Sequence, residues 1–216
     1  MKTAGPQSDP ERPHTGRRRN EATHQAILDT SLRLLGESGG APVTIDAIAR
    51  AAGVGKQTVY RWWPSKGALL LDALTERSTL HVPTPDTGSV RADLLAIIDS
   101  TFRGAQSDST APALRTLVRE AAQDPHLAEL LETFTAQRRQ AVLEVLERGR
   151  ARGELSDDAD LDLMVDQFYG VFWYRFLLGH APLDTAVAER LTDSILAGNT
   201  EDPRRRSDAG PNRVRG

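Results

Sequence analysis

The chain has 216 residues, of which 39% are hydrophobic and 26% charged, a balance that supports a soluble globular protein with a real core. It has no cysteine, which excludes disulfides, thiolate metal sites and a cysteine nucleophile, and fits a reducing cytoplasm. The formal net charge of −3 divides unevenly: residues 1–80 carry +3, residues 81–198 carry −8 and residues 199–216 carry +2, so a basic N-terminal part on an acidic body points to a polyanion contact near the N-terminus.

No apolar run approaches the roughly 18 residues that span a bilayer, and the N-terminus has no apolar segment of the secretory type. Residues 1–17 and 199–216 are polar and rich in Gly, Pro or Arg. Both read as disordered tails, because neither can bury enough apolar surface to offset the ordering of the chain. No strand alternation or hairpin dipeptide lies between them, and helical periodicity runs through the rest.

The first helix is expected at 18–37, with Ile27, Ser31, Leu34 and Leu35 inward and Gly39-Gly40 as its stop. Arg17, Arg18 and Arg19 stand at its start, either as a solvated run or as an arm that follows DNA into a minor groove. Thr44 is an N-cap for a second helix burying Ile45, Ile48, Ala49 and Ala52, and Gly53 supplies a turn. A third helix spans 55–62 and ends at Pro64. A fourth starts at Ser65 and carries Leu69, Leu70, Ala73 and Leu74 inward. The stretch 81–89, with Pro83, Pro85 and Gly88, reads as a hinge. Five further helices are expected at 88–106, 111–122, 125–151, 157–179 and 184–197, the acidic run from Ser156 to Asp162 serving the N-terminal end of the fourth of these.

Residues 44–70 have the physics of a helix-turn-helix: two short helices crossing over a tight turn, with Ala49 admitting the neighbour and Val54 and Val59 filling the seam. The outer face of the third helix then offers Lys56, Gln57, Thr58, Tyr60 and Arg61, two cations and three hydrogen-bonding groups with no carboxylate, a surface suited to a major groove.

The succession Thr44, Ile48, Ala49, Ala52, Gly53, Val54, Thr58, Tyr60, Trp62, Trp63, Lys66 and Leu69 resembles the DNA-binding part of the TetR family, the tetracycline-repressor-like regulators. The stretches RTLVREAAQDPHLAELLETF and FYGVFWYRFLLGHAPLD resemble the effector domain of one of its branches. The resemblance implies an all-α protein of about nine helices, with a helix-turn-helix domain at 18–81 and a ligand-binding and dimerisation domain at 88–198. It implies phosphate contacts by Thr44, Tyr60 and Lys66, and base contacts by Gln57, Thr58 and Lys56, beside Arg61. Trp63, at a position usually Phe, belongs in the core. Trp62 stands where the family has His or Tyr and reads as core or as a phosphate contact. Gly55 replaces the usual Ser, so a side-chain cap is lost there.

The resemblance further implies a homodimer on a palindromic double-stranded operator, usually as a repressor, released by a small molecule. Leu161, Val165, Phe168, Phe172 and Phe176 form one stripe of the helix at 157–179, and Tyr169, Trp173 and Leu177 extend it to a second, with Gly170 allowing close approach of a partner. Val187, Leu191 and Ile195 of the last helix join that interface. A pocket is expected among Phe102, Leu117, Phe134, Met164, Phe168 and Trp173, with Arg138 as its polar anchor, a lining that suits a hydrophobic or aromatic effector. Each of these apolar side chains, taken singly, also reads as dry core. No cofactor or metal is implied. An enzyme is the rival class, but His14, His24, His81, His126 and His180 form no triad or metal motif, and no Gly-rich phosphate loop is present. A helical protein adaptor is the third reading, and it predicts no salt-dependent DNA affinity.

Overall fold

The computed structural model describes residues 15–38, 41–81 and 84–199, and every regular element among them is an α-helix. In chain order these are α1 (Thr15–Glu37), α2 (Ile45–Ala51), α3 (Lys56–Trp62), α4 (Lys66–His81), α5 (Val90–Ala105), α6 (Thr110–Ala121), α7 (Pro125–Ala151), α8 (Leu161–Leu178) and α9 (Thr185–Leu196). None is long and apolar enough to cross a membrane. The expected Gly39-Gly40 stop and nearly all of both expected tails lie outside the described residues; α1 itself starts earlier than expected, at Thr15.

Side chains write the helix ends. Thr44, Ser89, Asp124, Asp160 and Asp184 each accept a backbone N–H of the first turn of the helix they precede, satisfying donors that have no partner inside the helix. Ser65 does the same for α4, accepting from Ala68 N at 3.1 Å. α8 begins at Leu161 rather than at 157, because its cap is Asp160 and residues 156–160 turn before it.

The four N-terminal helices form a head: α1 packs on α2 and α4, and α2 on α3. The rest form a body around α5, which touches α6, α7, α8 and α9. One continuous set of buried side chains runs from Ile27 to Leu196, so head and body share a core. The expected hinge is fastened to the body at its C-terminal side. Arg148 donates to the Pro85 carbonyl at 2.7 Å, and the buried Asp93 accepts from the Thr87 N–H at 2.9 Å and from its hydroxyl at 2.7 Å.

Two faces differ from the sequence expectation. Val187 and Ile195 of α9 are buried inside their own protomer, where α9 lies along α5, and do not face outward. On α8, Tyr169 and Trp173 turn towards the body, so of the expected second stripe only Leu177 is exposed. The outward line of α8 is Leu163, Gly170, Tyr174, Leu177 and Leu178. The physical reason is the length of the apolar arc: α8 is apolar almost all round, and spacing alone does not say which part of the arc meets its neighbours.

Candidate nucleic-acid interface and cavity

The reading head is built from two short helices and the turn between them. Ile45, Ile48 and Ala49 of α2 and Val59 of α3 are buried, and Gly53 takes φ +69°, a left-handed conformation in which a Cβ would crowd the backbone. Thr44 accepts the Ala47 N–H at 3.2 Å, which leaves its hydroxyl proton free to donate outward. Gly55 caps α3 with no side-chain hydrogen bond, as its lack of a hydroxyl requires.

On α3, Lys56, Gln57, Tyr60 and Arg61 are exposed, whereas Thr58 and Trp62 are half-buried. Trp63 is 4% exposed and its indole N–H donates to Asp72 at 2.8 Å, so α3 ends locked onto α4. Trp62 meets Trp63 and His24 edge-on at ring distances of 5.5 and 5.3 Å, with the Arg61 guanidinium 5.2 Å from its ring. Its position is therefore shared between the core and the outer face.

Two carboxylates reach the candidate DNA contacts, and both come from elsewhere in the fold. Asp46 of α2 pairs with Lys56 at 3.0 Å and holds its ammonium above its ordinary value, chiefly through that hydrogen bond. The face of α3 thus has no carboxylate of its own but borrows one. Glu120 of α6 pairs with Lys66 at 2.6 Å. Neither pairing follows a local spacing rule, and no sequence signal marks them, because each depends on how two helices cross.

A cavity of about 480 Å³ opens in the body. Of the residues proposed for it, Phe134, Arg138 and Trp173 line it; Phe102, Leu117, Met164 and Phe168 are fully or almost fully buried outside the lining. Phe102 stacks on Phe172, a lining residue, at 6.2 Å, so part of that buried set supports the wall. Leu74, Leu114, Tyr169 and Phe172 complete the apolar side. Arg138 donates weakly to Thr101 Oγ1 at 3.4 Å, and the Tyr169 hydroxyl donates to the Arg138 carbonyl at 3.1 Å. Burial pushes the Tyr169 phenol up from its ordinary value and keeps it a neutral donor. Leu74 belongs to α4, so the head contributes to the wall.

Comparison with known proteins matches residues 27–73 to the family described as bacterial regulatory proteins, tetR family, and residues 84–195 to the tetracyclin repressor-like C-terminal domain. The chain is 37% identical over 164 residues to the uncharacterized HTH-type transcriptional regulator YdeS of Bacillus subtilis, covering 76% of this chain and 82% of that one. It is 31% identical over 181 residues to the DNA-binding transcriptional repressor TetR of Mycobacteroides abscessus, covering 82% and 94%. The crystal structure of the TetR family transcription regulator SCO0332 superposes with a TM-score of 0.69 at 34% identity, over 83% of this chain and 99% of that one.

Proposed function

The chain belongs to the TetR family of DNA-binding transcription regulators, and from that premise we propose that it is a ligand-responsive repressor that occupies a palindromic operator as a homodimer. Its relatives are regulators, not enzymes. The observation that carries the reading is a single helix, α4, whose first residue is Lys66, a candidate phosphate contact, and whose Leu74 lies in the wall of the cavity.

Tyr60, Thr44 and Lys66 position the head on phosphates, with Trp62 and Arg61 beside them, and Gln57, Thr58 and Lys56 read base edges. In the protein alone, Lys56 and Lys66 are held by Asp46 and Glu120, which compete with DNA for the two ammonium groups. The effector is a hydrophobic or aromatic molecule held against Phe134, Trp173 and Phe172, with an acidic or carbonyl group directed at Arg138. Phe102, Leu117, Met164 and Phe168 fix the shape of the wall from behind. Repression is supported by the relative named as a repressor. The site of action is the cytoplasm, where the operator lies.

A gel-shift assay on the DNA upstream of the chain's own gene, combined with a thermal-shift screen of apolar drugs, fatty acids and aromatic metabolites, tests this. A compound that raises the melting temperature is expected to change DNA affinity as well, and Trp173→Ala or Phe134→Ala to blunt both effects together. A compound whose two effects survive both substitutions places the effector elsewhere, and absence of any salt-dependent DNA affinity defeats the reading as a whole.

A further inference from the structure

We propose that Glu120 is an internal competitor for the DNA backbone: it holds Lys66 in an ion pair that a phosphate must replace, and so sets DNA affinity from within the body. The inference rests on the regulator reading above. Lys66 is the first residue of α4, and Glu120 stands in the last turn of α6, across the boundary between head and body. Their charged atoms are 2.6 Å apart, and their side chains are only 23% and 29% exposed. The pair of Lys56 and Asp46, by contrast, lies within the head and is 50% and 57% exposed. Solvent screens the second pair and leaves it weak. The first is half-buried and so less screened than the second.

The surroundings hold Lys66 against Glu120. A Cβ at Gly67 would collide with the buried Leu127 of α7, so the start of α4 rests tightly on the body. A Cβ at Gly36 would come within 2.8 Å of the Asp108 carbonyl oxygen, so the end of α1 rests on the loop before α6. α6 is also the helix whose other end lines the cavity, through Thr110 and Leu114. A rigid helix of twelve residues is about 18 Å long, so the cavity wall and the grip on Lys66 sit at opposite ends of one rod. One ammonium then has two alternative anions, a carboxylate of the body and a phosphate of DNA. Whatever withdraws Glu120 strengthens DNA binding, and whatever seats it weakens binding, by the same coupling.

The test is fluorescence anisotropy over a salt series, with a labelled mixed-sequence duplex of about three helical turns. The full chain is compared as wild type, Glu120→Gln, Lys66→Gln and the double variant. Glu120→Gln is expected to bind about tenfold more tightly at low salt. Its plot of log affinity against log salt is expected to keep the wild-type slope, because Lys66 neutralises the same phosphate in both, whereas Lys66→Gln lowers the slope by about 0.9. Lys66→Gln in the same chain is expected to abolish the gain in affinity. Unchanged affinity in Glu120→Gln, or a gain that persists in the double variant, overturns the inference. A second measurement needs no substitution at Glu120. The chain has three lysines, Lys2, Lys56 and Lys66, so selective lysine labelling gives few side-chain NMR signals. The Lys66 signal, assigned by its loss in Lys66→Gln, is expected to shift when duplex is added; a signal that stays put while DNA binds overturns the inference. A wild type that binds no duplex defeats the regulator reading itself, whereas a wild type that binds while Glu120→Gln matches it defeats only the role of Glu120.

Discussion

Gln57 and Tyr60 stand three residues apart on the exposed face of α3 and carry different chemistry. The amide offers a paired donor and acceptor that match one base edge, worth about 1–3 kcal/mol of discrimination in a good bidentate contact. The phenol offers one hydroxyl, which suits a phosphate and reads no sequence. Gln57→Ala is expected to flatten the preference at particular operator positions, and Tyr60→Ala to weaken all duplexes alike. Titration of an operator and its single-base variants measures both, and a sequence preference unchanged in Gln57→Ala removes Gln57 from the reading face. At this scale the residues legible in the sequence were those whose role is local. The Thr44 cap, the Gly53 turn and the burial of Trp63 follow from backbone donors, positive φ and an apolar seam. Asp46, Glu120 and the Asp72 acceptor of Trp63 were not legible, because their partners lie ten, fifty-four and nine residues away on other helices.

Helix positions were legible because apolar period and caps are encoded within each element; helix faces were legible only where one apolar stripe left no choice. α9 shows the limit, since Val187 and Ile195 face α5 and not a partner. An exposed fork fastens α9 there: Arg91 of α5 donates to both oxygens of Asp193, at 2.7 and 3.2 Å, and this hydrogen bonding holds the Asp193 carboxyl below its ordinary value. A lowered carboxylate stabilises the fold above the ordinary Asp range and loses that contribution as pH falls through its own lower value. The melting temperature of Asp193→Asn is therefore expected to fall slightly below wild type at neutral pH and to converge with it in acid. A difference that persists in acid shows that the carboxylate charge is not what fastens α9. The meeting of α5 and α7 is tighter. A Cβ at Gly149 would lie 2.5 Å from Val90 Cγ2 and 2.6 Å from its Cβ, and Val90 is buried. Overpacking of this kind costs about 1–3 kcal/mol, against a gain of up to about 1 kcal/mol from replacing glycine in a helix. Gly149→Ala is expected to lower stability in denaturant melts, and a stabilised variant shows that the two helices are free to part.

The shared core of head and body makes the molecule a coupled unit, in which Leu74, Gly36 and Lys66 of the head all bear on the walls and ends of α6. The proposed homodimer needs an interface, and the outward line of α8 is the face proposed for it. Leu163, Tyr174, Leu177 and Leu178 are 53%, 60%, 46% and 65% exposed, large apolar groups that a solitary protomer would leave in water. Gly170 lies in the same line, and among the described residues nothing stands within 4 Å of a Cβ placed there, so no described neighbour requires its missing side chain. In the proposed dimer, a glycine at this point would let a two-fold-related helix approach closely. Gly170→Arg separates these roles. Arginine is the better helix former by about 0.8 kcal/mol and its Cβ enters open space, so the protomer is expected to stay folded. In the proposed dimer a long charged side chain would be forced into the contact. Sedimentation at micromolar concentration is expected to give a dimer for the wild type and a folded monomer for the variant. The variant is also expected to lose most of its affinity for a palindrome while keeping its weak grip on a half-site, because the second half-site is no longer presented at high effective concentration. A Gly170→Arg protein that remains a dimer moves the interface away from this face of α8, and a wild type that sediments as a monomer removes the dimer altogether.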